Sequence, residues 1–168
     1  WKALPNLSQL PIDKSGRMAA SQLDLTPLDQ EDARRIFAFS QGQSLRRWSA
    51  PAVEGRPFTV EATVEALSDN GVILAHGGNQ GGYAIYLKDG HLVFATRIQD
   101  KLSGQYVFTP IRDENPFPLN KKVKVTAALK RDLGMALAID GREVAMGQSP
   151  DFIPSRPLEG ISIGFDQR

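Results

Sequence analysis

Between Phe58 and Glu65 the chain alternates without a break. Phe58, Val60, Ala62 and Val64 are apolar, and Thr59, Glu61, Thr63 and Glu65 are polar. A period of two sends the two sets to opposite faces of an extended backbone, so the segment predicts a strand with one buried and one solvated face. The same reasoning makes Val123, Val125, Ala127 and Leu129 the apolar side of a strand over Lys122–Leu129. Val72-Ile73-Leu74-Ala75 is a further apolar run, and Gln105–Thr109 and Ile161–Phe165 are expected as two more short strands.

Two hairpins can be read from their turns. Tyr83–Lys88 and His91–Arg97 flank Asp89-Gly90, and Leu133–Ile139 and Arg142–Met146 flank Asp140-Gly141. Asp-Gly suits a two-residue type I′ turn, which requires positive φ at both central positions. The turn fixes the register. The first hairpin should then pair Leu87 with Leu92 and Ile85 with Phe94, and the second Leu137 with Val144 and Met135 with Met146. Many short strands with frequent turn signals predict an all-β, antiparallel sandwich or barrel over residues 36–168.

The first 35 residues read differently. Pro5, Pro11 and Lys14-Ser15-Gly16 interrupt any period over 1–25, which predicts an irregular arm. Thr26-Pro27-Leu28-Asp29 has an N-cap threonine, a proline at the first helical position and an acid three residues after the cap. A short helix near 27–35 is therefore expected.

Composition narrows the function. The 168 residues are 41% hydrophobic and 23% charged, the net charge is +1 and there is no cysteine. One ordinary domain is expected, without disulfides or thiolate chemistry, and nucleic acid is not expected as a partner. No apolar run is long enough for a membrane helix, so no membrane insertion is expected. The chain starts at Trp1 without a signal peptide, as an excised or processed domain would.

The stretch Gly71–Phe94, GVILAHGGNQGGYAIYLKDGHLVF, resembles concanavalin-like and laminin-G-like jelly-roll modules, in particular the C-terminal module of bacterial arylsulfatases. The matching residues are Gly77-Gly78, Gly82-Tyr83, Lys88-Asp89-Gly90 and Leu92-Val93-Phe94. Ala50-Pro51 with Phe58–Val64, Leu137–Gly141 with Val144, and Gly160–Asp166 follow in the module's order. The resemblance implies a concanavalin-like jelly roll over roughly Phe37–Asp166. It also implies an accessory domain of a larger exported hydrolase, periplasmic or extracellular, that packs on its parent or aids carbohydrate binding. A free-standing carbohydrate-binding module and a structural or protein-interaction domain are the alternatives.

No catalytic signature is complete in the sequence. Sulfatases carry Cys or Ser, any residue, then Pro-Ser-Arg; here Pro154-Ser155-Arg156 is preceded by Phe152 at the nucleophile position, so the match reads as coincidence in a loop. Glu61 and Glu65 lie four apart on a polar strand face, with no third acid, and read as solvated charge. His76 and His91, the only histidines, are expected as polar residues of loops or turns. No cofactor is required, though the resemblance leaves calcium possible. Asp69, Asp89, Asp113 and Asp166 are candidate acids, with Asn79 as a carbonyl donor. Turn formation explains Asp89 and Asp140, and Asp166 lies where the family's closing strand ends, so the resemblance points to Asp166, with Asn79, as the metal candidates. The outward side of the first hairpin carries Ala84, Tyr86, Lys88, His91, Val93 and Ala95, and it is more apolar than a solvent face usually is. It is expected either to stack Tyr86 on a sugar, aided by Lys88, His91 or Arg97, or to be covered by protein. Trp48 is a further aromatic candidate.

Overall fold

Both Asp-Gly turns form with the expected backbone. In the computed structural model φ is 51° at Asp89, 76° at Gly90, 49° at Asp140 and 80° at Gly141, as a type I′ turn demands. The structure describes residues 36–100 and 103–165. The expected arm and helix of residues 1–35, and Asp166, lie outside the described residues.

The described strands are β1 (Ser44–Leu45), β2 (Phe58–Glu65), β3 (Gly71–Gly78), β4 (Gly81–Lys88) and β5 (His91–Gln99), followed by β6 (Tyr106–Arg112), β7 (Lys122–Leu129), β8 (Gly134–Ile139), β9 (Arg142–Gln148) and β10 (Ile161–Ile163). They form a six-stranded sheet, β1-β10-β3-β4-β5-β6, and a four-stranded sheet, β2-β7-β8-β9. All of these pairings are antiparallel. The core lies between the sheets. Ile85, Leu92, Phe94 and Ile98 come from the first, Val123, Val125, Ala127, Leu129, Met135 and Leu137 from the second, and all are buried. Each of these side chains other than Ala127 contributes about 1.5–3 kcal/mol on full burial. At the far side β9 approaches β6 closely: a Cβ on Gly147 would run into Ile111.

The first hairpin has the expected register, Leu87 opposite Leu92 and Ile85 opposite Phe94. The second does not. Ala138 pairs with Glu143 and Leu137 with Ala145, so Val144 is an extra residue, and Met135 faces Gly147 rather than Met146. A β-bulge adds one residue to one strand and reverses the faces beyond it. Met146 is accordingly 71% exposed. A second bulge, at Ile73, separates the Val72–Tyr86 pair from Leu74–Ile85.

β3 also runs further than its apolar run. It continues through His76, Gly77 and Gly78, and the turn is Asn79-Gln80. His76 is therefore a strand residue, not a loop residue. Its side chain faces the core with no exposed surface.

Candidate functional site

Cross-strand register lays out the outer face of the six-stranded sheet. One row across the strands is Ser44, Ser162, Ala75, Ala84, Ala95 and Pro110, all small or ring-closed. On one side of it lie Val72, Tyr86, Val93 and Arg112; on the other lie Gly77, Gly82, Arg97 and Phe108. Small side chains between larger ones make a shallow trough, walled by Tyr86 and Arg112 on one side and by Arg97 and Phe108 on the other. Its floor is sunk: Ala95 is only 3% exposed although it points away from the core. The two glycines are required by the backbone. Gly77 and Gly82 face each other with φ of 98° and 142°, and a Cβ on Gly82 would meet the His76 carbonyl.

Each expected residue other than Asp166 has a definite place. Tyr86 is half-buried in the trough wall, and desolvation raises its hydroxyl pKa above the ordinary value of 10.0. Arg97 donates from Nε to the Asn79 carbonyl at 2.9 Å, and its guanidinium lies 5.4 Å from the Tyr106 ring centroid. The turn carbonyl proposed for a metal is thus already held by a cation. Lys88 pairs with His91 at the hairpin end and is exposed. His91 Nδ1 lies 2.9 Å from the Asp113 carbonyl, so a backbone contact occupies that nitrogen. Tyr86 and Arg97 share a face, but they stand on opposite walls, about 13 Å apart at the usual strand rise.

Trp48 is brought to a different corner. It is 56% exposed in the loop after β1. The Arg47 guanidinium lies 4.6 Å from its ring centroid and that of Arg156 5.7 Å. Arg156, the arginine of the apparent coincidence, is buried, and its Nε pairs with Glu54 Oε1 at 3.2 Å. Arg47 Nη2 donates to the Arg156 carbonyl, also at 3.2 Å. Among the described residues, the buried side-chain polar atoms without a hydrogen bond are Arg47 Nε, Glu54 Oε2 and both ring nitrogens of His76. Arg47 and Glu54 belong to this corner, and His76 is a core residue near enough to feel the Arg156 charge. Burial, with Arg156 as the lesser cause, lowers the His76 pKa from 6.5 to about 4. Reasoning from sequence missed this group because its members are up to 109 residues apart. The only signal was Pro-Ser-Arg, which points to other chemistry.

Mouse laminin alpha1 chain, domains LG4-5, is similar over 76% of this chain and 33% of that chain, with 16% identity and a TM-score of 0.52. This is a laminin-G-like β-sandwich. The receptor binding domain of botulinum neurotoxin D matches at a TM-score of 0.44 and 16% identity, covering 67% of this chain and 28% of that chain. The binding domain of Paraclostridial Mosquitocidal Protein 1 matches at 0.46 and 15%, covering 66% and 30%. The chain spans about a third or less of each of those chains. No protein-family model matches the sequence, and no curated protein does.

Within this laminin-G-like sandwich the acids are engaged in local structure. Glu61 pairs with Lys124 at 3.0 Å on the exposed side of the four-stranded sheet. Four steps along the strand separate it from Glu65 by about 13 Å, wider than a glycosidase carboxylate pair tolerates. Asp113 Oδ1 accepts from the backbone N and Nδ2 of Asn115. Asp140 Oδ1 accepts from the Lys124 N–H. Among the described residues no three His, Asp or Glu side chains converge to hold a metal.

Proposed function

We propose that the chain is a non-catalytic binding domain that holds a saccharide along the outer trough of its six-stranded sheet, as an accessory part of a larger, exported, arylsulfatase-like hydrolase. The observation that carries this is the trough itself: a floor of Ala75, Ala84 and Ala95 between Tyr86 and the Arg97–Phe108 wall. A phenol ring gives a saccharide an apolar face with a polar tip, and a guanidinium gives it donors. The laminin-G-like fold and the arylsulfatase-module resemblance of Gly71–Phe94 support the setting. Phe152 in place of a nucleophile, and the two histidines, one buried and one bonded to backbone, support a role without catalysis.

The test is binding of the purified chain to a panel of neutral polysaccharides. Tyr86→Ala and Arg97→Ala are each expected to weaken binding about tenfold or more. Binding that survives both variants, or no binding to any member, rejects the reading. An upstream coding sequence for a sulfatase would support the parent enzyme; a different catalytic domain there would count against it.

A second reading, that protein covers this face, is favoured by the burial of Val93, Ala95 and Ser162 outside the core. Ala84→Lys separates the two. On a saccharide floor it abolishes binding and leaves the melting temperature in place; under a protein cover it lowers the melting temperature.

A further inference from the structure

The Trp48 corner is separate from the trough and is built differently. A cleft of about 550 Å³ opens there, lined by Ser44, Leu45, Arg46, Arg47, Leu158 and Gly160. Leu158 and Trp48 are both at least half exposed beside it. Three arginines, Arg46, Arg47 and Arg156, stand against Glu54 and against Glu159, whose carboxylate lies over Gly78. Glu54 neutralises Arg156, and no ion pair among the described residues uses Arg46 or Arg47. The corner is therefore left positive.

Arg47 is the telling member. One arm of its guanidinium is fixed on the Arg156 carbonyl, and the plane lies over the indole of Trp48. Its Nε–H is cut off from water yet has no acceptor. A donor closed to water is closed to a cleft ligand as well, so what the corner offers a ligand is the uncompensated charge of Arg46 and Arg47. Carboxylate and sulfate oxygens only accept, and guanidinium binds them with charge-assisted hydrogen bonds. The exposed indole and the Leu45 and Leu158 side chains add an apolar wall, as a ring-shaped ligand with a C–H face needs.

We infer that this corner is a second binding site, for an anionic saccharide whose sulfate or carboxylate is taken by Arg47 and Arg46 and whose ring rests against Trp48. The inference rests on the reading of the chain as a saccharide-binding domain, and it names a ligand charge and a location that the trough does not require.

The experiment uses the whole chain and four polymers in low salt: heparin as the sulfated probe, polygalacturonate as the carboxylated one, dextran as the neutral one and poly-glutamate as a non-saccharide polyanion. Heparin or polygalacturonate is expected to bind, and which of the two binds more tightly identifies the anion. Trp48→Ala and Arg46→Ala, both at exposed positions, are expected to weaken that binding about tenfold, with Arg47→Gln weakening it further. Tyr86→Ala should leave it unchanged, as should the double change of the exposed pair Lys121 and Lys122 to Ala. Raising the salt should weaken it as charge is screened. Loss with the Lys121/Lys122 change as large as with Arg46→Ala means diffuse electrostatics and overturns the inference. So does poly-glutamate binding as tight as heparin, or anion binding indifferent to Trp48→Ala. Dextran bound through Tyr86 with no binding of either anionic polysaccharide overturns this inference and leaves the trough reading standing. No binding of any polysaccharide overturns both.

Discussion

His76 occupies a position that an apolar residue would fill at lower cost. It packs edge-on to Tyr83 with ring centroids 5.4 Å apart, and neither nitrogen has a partner. A proton binds the unfolded imidazole at an ordinary pKa near 6.5 but the folded one only near 4. The contribution is thus complete above pH 6.5 and is lost as pH falls towards 4, a change of about 3 kcal/mol in total. His76→Leu is expected to raise the melting temperature and to flatten the stability profile between pH 6.5 and 4. An unchanged slope in chemical denaturation across that range would contradict the assignment. Arg156 is the opposite case, a buried cation with a partner. Arg156→Ala leaves Glu54 unpaired and unties two loops, and a loss of about 3 kcal/mol is expected in a urea titration. Neither role was legible from sequence. A histidine before Gly-Gly reads as a turn residue, and nothing local says that the strand continues through the glycines.

At the scale of the element, turns were legible and bulges were not. An Asp-Gly pair declares its backbone because the left-handed φ it needs is cheap for those residues. Val144 carries no such mark. A β-branched residue in an apolar run fits a regular strand as well as a bulge, so the sequence pattern put Met146 opposite Met135. The two registers make different predictions. Met146→Lys is expected to change stability by less than about 0.5 kcal/mol, whereas Met135→Ala should cost about 2–5 kcal/mol, both read from thermal or chemical unfolding. A large loss at Met146 would restore the unbulged register. Gly82→Ala tests the close approach of β3 and β4. With φ at 142° and the His76 carbonyl in the way, it should cost more than about 1 kcal/mol and reduce amide protection along both strands.

At the scale of the molecule, chain order and sheet order diverge. β10 sits between β1 and β3, so Leu45 pairs with Ile161 and Ile161 with His76. β2 pairs with β7 across the whole first hairpin. Contacts this distant in sequence delay the transition state, and folding on the order of milliseconds to seconds is expected in stopped-flow refolding; a microsecond phase carrying the full amplitude would contradict the topology. The sequence by itself determined the all-β class, both Asp-Gly turns and the sides of β2, β4, β5, β7 and β8 that enter the core, because period and turn chemistry are local. It also placed Tyr86, Val93 and Ala95 on one face. Only the tertiary structure decided that Arg97 and Phe108 form the facing wall of a trough, that His76 is core, and that Arg47, Trp48, Glu54 and Arg156 share a corner. Those depend on which strands and loops become neighbours. That choice is made by packing over a hundred residues of separation, where no local period reaches.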